Sequence, residues 1–281
     1  MARETHSVRG WCRHGGGGSP QSRGSGRHTL PWPLWLLLSF LLIAASPAAW
    51  GDEGQALLER MDQIMFPVPD GQQPGWELYL RINHTTPSRE KKDFTLYVAR
   101  FSGDVALALV VAPERLKGYT LLRRGNRFWE RAPGEISPRE TLAGDSLLGG
   151  GANNDDLLPA DYARMYQGRI TATRDKHTEL ELTPREPGLP YRRVQLTLDK
   201  STTLPVSMRY FSAKDFLMRQ VDYEVVGTLD SGVRPLTRVL VNGNNPGYQT
   251  RLTLGTLRPR VLPEDLFQPD AMHRAGQLLR E

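Results

Sequence analysis

From residue 76 onward the apolar positions recur every second residue. In residues 76–83, Trp76, Leu78, Leu80 and Ile82 alternate with Glu77, Tyr79, Arg81 and Asn83. Residues 193–199 repeat this with Val194, Leu196 and Leu198 against Gln195 and Thr197, and residues 204–211 with Leu204, Val206, Met208 and Tyr210 against Ser207 and Arg209. In residues 217–226, Leu217, Val221, Tyr223 and Val225 alternate with Met218, Gln220, Asp222 and Glu224. A period of two sends successive side chains to opposite faces, so these segments predict strands with one dry and one wet face, the habit of antiparallel sheets. Turn signals separate them at Gly125-Asn126, at residues 199–205 and at residues 211–215. Residues 105–113 form a more continuously apolar strand, and residues 237–257 add a further hairpin.

Before this region the spacing is helical. Leu57, Leu58, Met61, Ile64 and Met65 fall on one side of a helix that Pro67 stops, and residues 68–75 read as a loop. About ten strands, one helix ahead of them and one short helix in the middle argue for a sandwich or a barrel-like sheet.

The N-terminus has a different character. A basic stretch, residues 1–30, precedes an uncharged, mainly apolar run from Leu34 to Ala45 that only Ser39 breaks. That run is shorter than the ~20 residues that span a bilayer. Small residues follow, with Ala49 and Gly51 spaced as at a signal-peptidase site, so residues 1–51 are expected to be a cleaved export signal and residues 52–281 one folded domain. The leader explains most of the charge. The chain is +5, and residues 1–30 carry five arginines against Glu4 alone. A nearly neutral remainder argues against nucleic-acid binding, although Trp76, Phe128, Trp129, Tyr210, Phe211 and Tyr223 could stack bases. Cys12, the sole cysteine, lies in the leader, so the rest of the chain has no disulfide.

Candidate chemistry is thin. His84, His177 and His273 lie far apart and form no zinc-binding pair, and there is no nucleophile elbow. Asn83-His84-Thr85 matches a glycosylation triplet in a strand context that makes it weak. Residues 149–162, GGGANNDDLLPADY, are the one suggestive cluster. Asn153 or Asn154 can cap a helix, with Asp155 and Asp156 in its first turn and Leu157, Leu158 and Tyr162 on its apolar side. The calcium-loop pattern is missing, so a structural helix start is expected here in preference to a metal site. No cofactor or metal is expected, and a hydrolase or metalloenzyme is disfavoured.

Four segments in order carry a resemblance: residues 112–131 (APERLKGYTLLRRGNRFWER), 147–162 (LLGGGANNDDLLPADY), 181–223 and 262–270 (LPEDLFQPD). Together, across residues 55–272, they resemble the outer-membrane lipoprotein-sorting protein family, periplasmic proteins related to the lipoprotein carrier LolA. The resemblance implies an α+β, mainly β fold: a strongly curved antiparallel sheet forming an unclosed barrel, with helices plugging its concave face over an apolar cavity for acyl chains. It makes residues 153–158 the start of a lid helix. Where family members carry a bulkier stretch before the acidic pair, this chain has Gly149-Gly150-Gly151-Ala152, which implies a more flexible approach to the lid.

On this reading the protein is a monomeric periplasmic carrier and not an enzyme. It binds acyl chains of a lipoprotein or lipid and moves them between an inner-membrane transporter and an outer-membrane acceptor. The alternative is an accessory or scaffold subunit of an inner-membrane exporter. The inward, lipid-binding set is expected to be Leu78, Leu80, Ile82, Val194, Leu196, Leu198, Val206, Met208, Tyr210, Val221 and Tyr223.

Overall fold

The computed structural model describes residues 47–66, 75–146, 151–158, 161–225, 236–242 and 247–280. Most of the expected export signal, residues 1–46, lies outside the described residues. Among the described residues no helix is long and apolar enough to cross a membrane.

The chain opens with helix α1 (Pro47–Met65), five residues earlier than the apolar spacing suggests. Proline is tolerated in a first helical turn because its missing N–H would have no partner there. Leu58 and Met61 are buried and Leu57 and Met65 pack beside them, so the helical spacing does mark the buried stripe. The last turn closes with Phe66 N donating to Asp62 O at 2.8 Å, and Pro67 cannot continue the ladder.

The strands are β1 (Trp76–Thr85), β2 (Lys91–Ser102), β3 (Val105–Ala112), β4 (Thr120–Arg124), β5 (Arg127–Arg131), β6 (Arg139–Thr141), β7 (Tyr166–Thr173), β8 (His177–Pro184), β9 (Arg193–Asp199), β10 (Pro205–Phe211), β11 (Leu217–Val225), β12 (Leu236–Asn242), β13 (Gln249–Leu254) and β14 (Arg258–Pro259). All belong to one sheet, in the order β6-β5-β4-β3-β2-β1-β13-β12-β11-β10-β9-β8-β7, with β14 added beside β1. Every pairing is antiparallel. The sheet is not closed: β6 and β7 are its two edges. The fold is mostly β, one large open antiparallel sheet with a few helices, as the resemblance implies.

Among the described residues fourteen strands stand where about ten are expected. β6 and β14 are too short, at 3 and 2 residues, to show a period. In β7 and β8 the buried positions include Gly168 and Thr178, which carry no apolar signal. β2 lacks alternation because both of its faces are covered, with residues 96–100 all buried. β3 shares that environment, which is why it reads as a continuous apolar run.

The second covering layer is the C-terminal segment. Two 3₁₀ helices, Glu264–Phe267 and Pro269–Leu279, set Leu266, Phe267, Met272, Ala275 and Leu278 against Tyr97, Ala99, Leu107, Leu109 and Leu122 on the outer face. Arg124 Nη1 donates to Phe267 O at 2.6 Å, and Arg260 Nη1 bonds Glu77 (2.5 Å), the Tyr97 hydroxyl (3.0 Å) and Leu278 O (2.8 Å). The inner face holds the larger core, built from the opposite parity: Leu78, Leu80, Ile82, Leu96, Val98, Leu121, Leu196 and Leu252 among others.

At the β7 edge α1 lies against the sheet backbone. A Cβ on Gly54 would sit 2.8 Å from Gly168 O and 3.0 Å from Arg169 Cα, so glycine sets this close approach. Gln55 ties the two together, donating to Ala163 O at 2.9 Å and accepting from Gly168 N at 3.1 Å.

Candidate functional site

Residues 142–165 connect the two sheet edges and carry two short helices, α2 (Asn154–Leu157) and α3 (Tyr162–Met165). A single lid helix with Tyr162 on its apolar side is therefore not what forms. Leu158 is extended (φ −113°, ψ 137°), as expected for a residue before a proline, and α3 starts afresh with Asp161 Oδ1 accepting from Arg164 N at 3.0 Å. Asn153 is the residue that caps α2, and its N–H donates back to Asp156 Oδ2 at 2.9 Å.

A four-residue helix has no stability of its own. What holds α2 is the concave face of the sheet, where four arginines stand at positions of inward parity. Arg100 follows Leu96 and Val98 on β2, Arg123 follows Leu121 on β4, Arg219 precedes Val221 on β11, and Arg238 precedes Leu240 on β12. Arg219 takes Asp156 bidentately, with Nη1 to Oδ2 at 2.6 Å and Nη2 to Oδ1. Burial alone would lower the Arg219 pKa, but the Asp156 carboxylate holds it well above the ordinary value. Its guanidinium lies 4.6 Å from the Tyr210 ring centre and 5.5 Å from that of Tyr191. Arg238 Nη2 donates to Asp156 O at 2.9 Å, Asn153 Nδ2 to the Tyr191 hydroxyl at 3.1 Å, and Gly151 N to Thr250 Oγ1 at 3.1 Å. A Cβ on Gly151 would sit 3.0 Å from that same oxygen. This glycine therefore serves a close contact of the lid segment with β13, and Gly149 and Gly150 lie outside the described residues.

Beneath α2 and α3 the hollow side of the sheet is rich in hydroxyls and sulfur. The Tyr162 and Tyr210 hydroxyls are 3.0 Å apart, and Met208 Sδ accepts from Tyr210 (3.1 Å) and Tyr223 (3.4 Å). Arg123 Nη2 lies 3.1 Å from Met165 Sδ, and its Nε donates to Gly125 O at 2.9 Å. Burial raises the pKa of Tyr162, Tyr166, Tyr191, Tyr210 and Tyr223, so all five remain neutral hydroxyls. Asp155, Tyr162 and Tyr223 are half-buried, and Tyr162 and Tyr223 pack against the inner core.

A second acidic pair joins α1 to α3. Asp62 Oδ2 accepts from Ala163 N at 2.7 Å, with the Asp161 carboxylate near enough to disfavour its charged form. Burial pushes the Asp62 pKa up to about 8, opposed by the Ala163 N–H and assisted by the Asp161 charge. Beside α1 a cleft of about 360 Å³ leads in over Leu57, Ile170 and Leu198, with Glu53 and Lys200 at its rim. Among the described residues no three His, Cys, Asp or Glu side chains group as metal ligands.

The expected inward set divides in three. Leu78, Leu80, Ile82, Val194, Leu196, Leu198, Met208, Tyr210 and Val221 are all buried in the one inner core. Tyr223 is half-buried and packs against that core. Val206 is the odd one. The register slips between Pro205 and Ser207, so Val206 is the extra residue of a β-bulge; it is half-buried and outside the core cluster. The alternation did not select Asp155, Tyr162, Tyr166, Tyr191, Arg123 or Arg219.

Solved structures with this architecture exist. A LolA superfamily protein of Nitrosomonas europaea aligns with a TM-score of 0.68 at 21% identity, covering 77% of this chain and 98% of that one. An outer membrane lipoprotein-sorting protein domain of Vibrio parahaemolyticus gives 0.67 at 15% identity, covering 80% and 100%. A DUF1329 family protein of Desulfovibrio piger gives 0.65 at 18%, covering 79% and 99%. A family model described as "-like: Uncharacterized protein" matches residues 103–274, more than half of the chain. The chain belongs to that family, and its fold is LolA-like. No curated protein matches it in sequence. The Arg219–Asp156 pair pins α2 to β11 of this sheet.

Proposed function

We propose that the protein is a periplasmic carrier that shelters acyl chains of a lipoprotein or lipid beneath the α2–α3 segment and moves them from inner to outer membrane. The observation that carries this reading is the LolA-like sheet with a small, separately pinned α2–α3 segment packed on its inner core. Each methylene removed from water there contributes about 0.8 kcal/mol. The half-buried thioethers of Met165 and Met218 give walls that adapt to chains of different shape.

In this reading residues 1–51 are the export signal and residues 52–281 the carrier domain, which works as a monomer between an inner-membrane transporter and an outer-membrane acceptor. Because α1 runs from Pro47 through Asp52, cleavage after Gly51 trims its first turn, and N-terminal sequencing of the exported protein reads the cut directly. The main test is extraction of the purified protein with organic solvent followed by mass spectrometry, with binding of a neutral solvatochromic dye alongside. Recovered lipid and saturable dye binding are expected. Repeated recovery of none, with no dye bound, overturns the proposal.

A further inference from the structure

The cleft beside α1 lies at the other end of the inner face from α2. Val194 pairs with Tyr210, and Tyr210 with Arg219, the residue that holds Asp156. Leu198 stands further along β9, roughly 13 Å from that row at the rise of a strand. The cleft there measures about 360 Å³ and opens to solvent.

Its lining combines three kinds of group. Leu57, Ile170 and Leu198 give it an apolar floor. Thr178 and Thr203 also line it, with only 7% and 5% of their surface exposed. Among the described residues neither threonine hydroxyl has a hydrogen-bond partner in the protein, and neither is sealed away. Buried side chains whose hydroxyls are unpartnered yet reachable present them to the cleft they line, and buried polar groups in native proteins find partners. The charges stand at the rim: Glu53 comes from α1 and Lys200 from the turn after β9. Both are exposed, and among the described residues neither is joined to another side chain. The other acid of the lining, Asp199, is already taken, its Oδ1 accepting from the N–H and the hydroxyl of Ser201 and of Thr202.

An apolar floor with a few fixed polar groups is the usual make-up of a small-molecule site, and this volume falls at the small end of such sites. That suits one alkyl chain. The rim carries one charge of each sign, so a head with a single charge is attracted by one residue and repelled by the other, whereas a zwitterion meets both. We propose that this cleft binds a single-chain zwitterionic amphiphile of the lysophospholipid class. The chain lies over Leu57, Ile170 and Leu198, the oxygens between chain and head accept from the Thr178 and Thr203 hydroxyls, the phosphate faces Lys200 and the ammonium faces Glu53. This site goes beyond the carrier reading, since it is separate from the shelter under α2–α3 and stands or falls without it.

The test is calorimetric titration of the delipidated protein with lauroyl lysophosphatidylcholine, dodecyl sulfate and dodecyltrimethylammonium, which share one chain length, each kept below its micelle threshold. The zwitterion is expected to bind about fivefold tighter than either singly charged probe, equivalent to about 1 kcal/mol. Thr178→Val and Thr203→Val, which keep the shape and remove the hydroxyl, should each weaken the lysophospholipid about threefold. Lys200→Glu moves the preference to the ammonium probe and Glu53→Lys to the sulfate. Both residues are on the surface, so these reversals decide the matter should a valine variant not fold, and the double reversal restores the zwitterion's lead. Equal affinity for the three probes, or an order that the reversals leave unmoved, overturns this proposal while the carrier reading stands. Binding of none of them also overturns it, and solvent extraction with dye binding then judges the carrier reading separately.

Discussion

Arg219 on β11 holds both oxygens of Asp156, a residue 63 positions earlier in the chain. The pair is buried on both sides, at 7% side-chain exposure each. Removing one member of such a pair leaves the other as an uncompensated charge and costs about 3–5 kcal/mol. Arg219→Met is expected to lose stability of that order, because Asp155 and Asp156 are then left facing each other. Asp156→Asn loses less, since Arg219 keeps the neighbouring Asp155. The double variant should fall well short of the sum. A urea-denaturation cycle checks this, and additivity within about 0.5 kcal/mol sinks the idea of a coupled latch.

The Asp62 carboxyl gives a pH dependence with a definite sign. Its pKa is about 8 in the folded protein, above the ordinary 3.8. Between those values the folded state binds more protons than the unfolded one, so stability falls as pH rises, by about 1.4 kcal/mol per unit at most from this group. Asp62→Asn keeps an acceptor for Ala163 N and a donor for Asp161. The variant should match the wild type near pH 4 and exceed it near pH 7.5. Denaturation curves at the two pH values decide it, and parallel slopes for both proteins refute it.

Gly54 tests the docking of α1 on the sheet edge. A methyl group there collides with the backbone of Gly168 and Arg169, which cannot yield like a flexible side chain. Gly54→Ala should cost about 1–3 kcal/mol, despite the better helix propensity of alanine. An unchanged melting temperature would show that α1 can slide off β7 freely.

Arg260 fastens the C-terminal segment to β1, β2 and its own last turn through Glu77, Tyr97 and Leu278 O. Arg260→Leu is expected to speed limited proteolysis of residues 264–279 about tenfold, since each 1.4 kcal/mol of lost anchoring raises the open fraction by that factor. Dye binding inside the hollow should be unaffected, because the segment lies on the opposite face of the sheet. Equal cleavage rates would assign the anchoring to Phe267 and its neighbours instead.

What could be read from the chain alone follows the physics of each element. Alternation in β1 and β9 marked the inner face because one side of those strands is dry and the other wet, whereas in β11 a register shift leaves Leu217 exposed and turns Met218 onto the inner core. It failed at Val206, where a bulge inserts a residue that no periodicity reveals. The polar lining was missed for a related reason. Arg219 stands at the same parity as Val221 and Tyr223, and Arg123 at that of Leu121. A charged residue on an otherwise apolar face is the signal that would have found both. Asp155 and Asp156 both fall in the first turn of α2, as their position after Asn153 implies, and Asp156 also accepts from Asn153 N. Adjacent residues on a short helix point in different directions, and only the sheet opposite decides which of them finds a partner.

One flank of the protein is plated twice and the other once. Strands β2–β5 are clad by the inner core and by the C-terminal layer, whereas β8–β11 turn Glu179, Glu181, Gln195, Thr197, Arg209 and Gln220 outward into a wet groove. A laminate resists bending far more than a single ply. The doubly plated strands are therefore the stiffer flank, and Arg219, which holds α2, stands on the other.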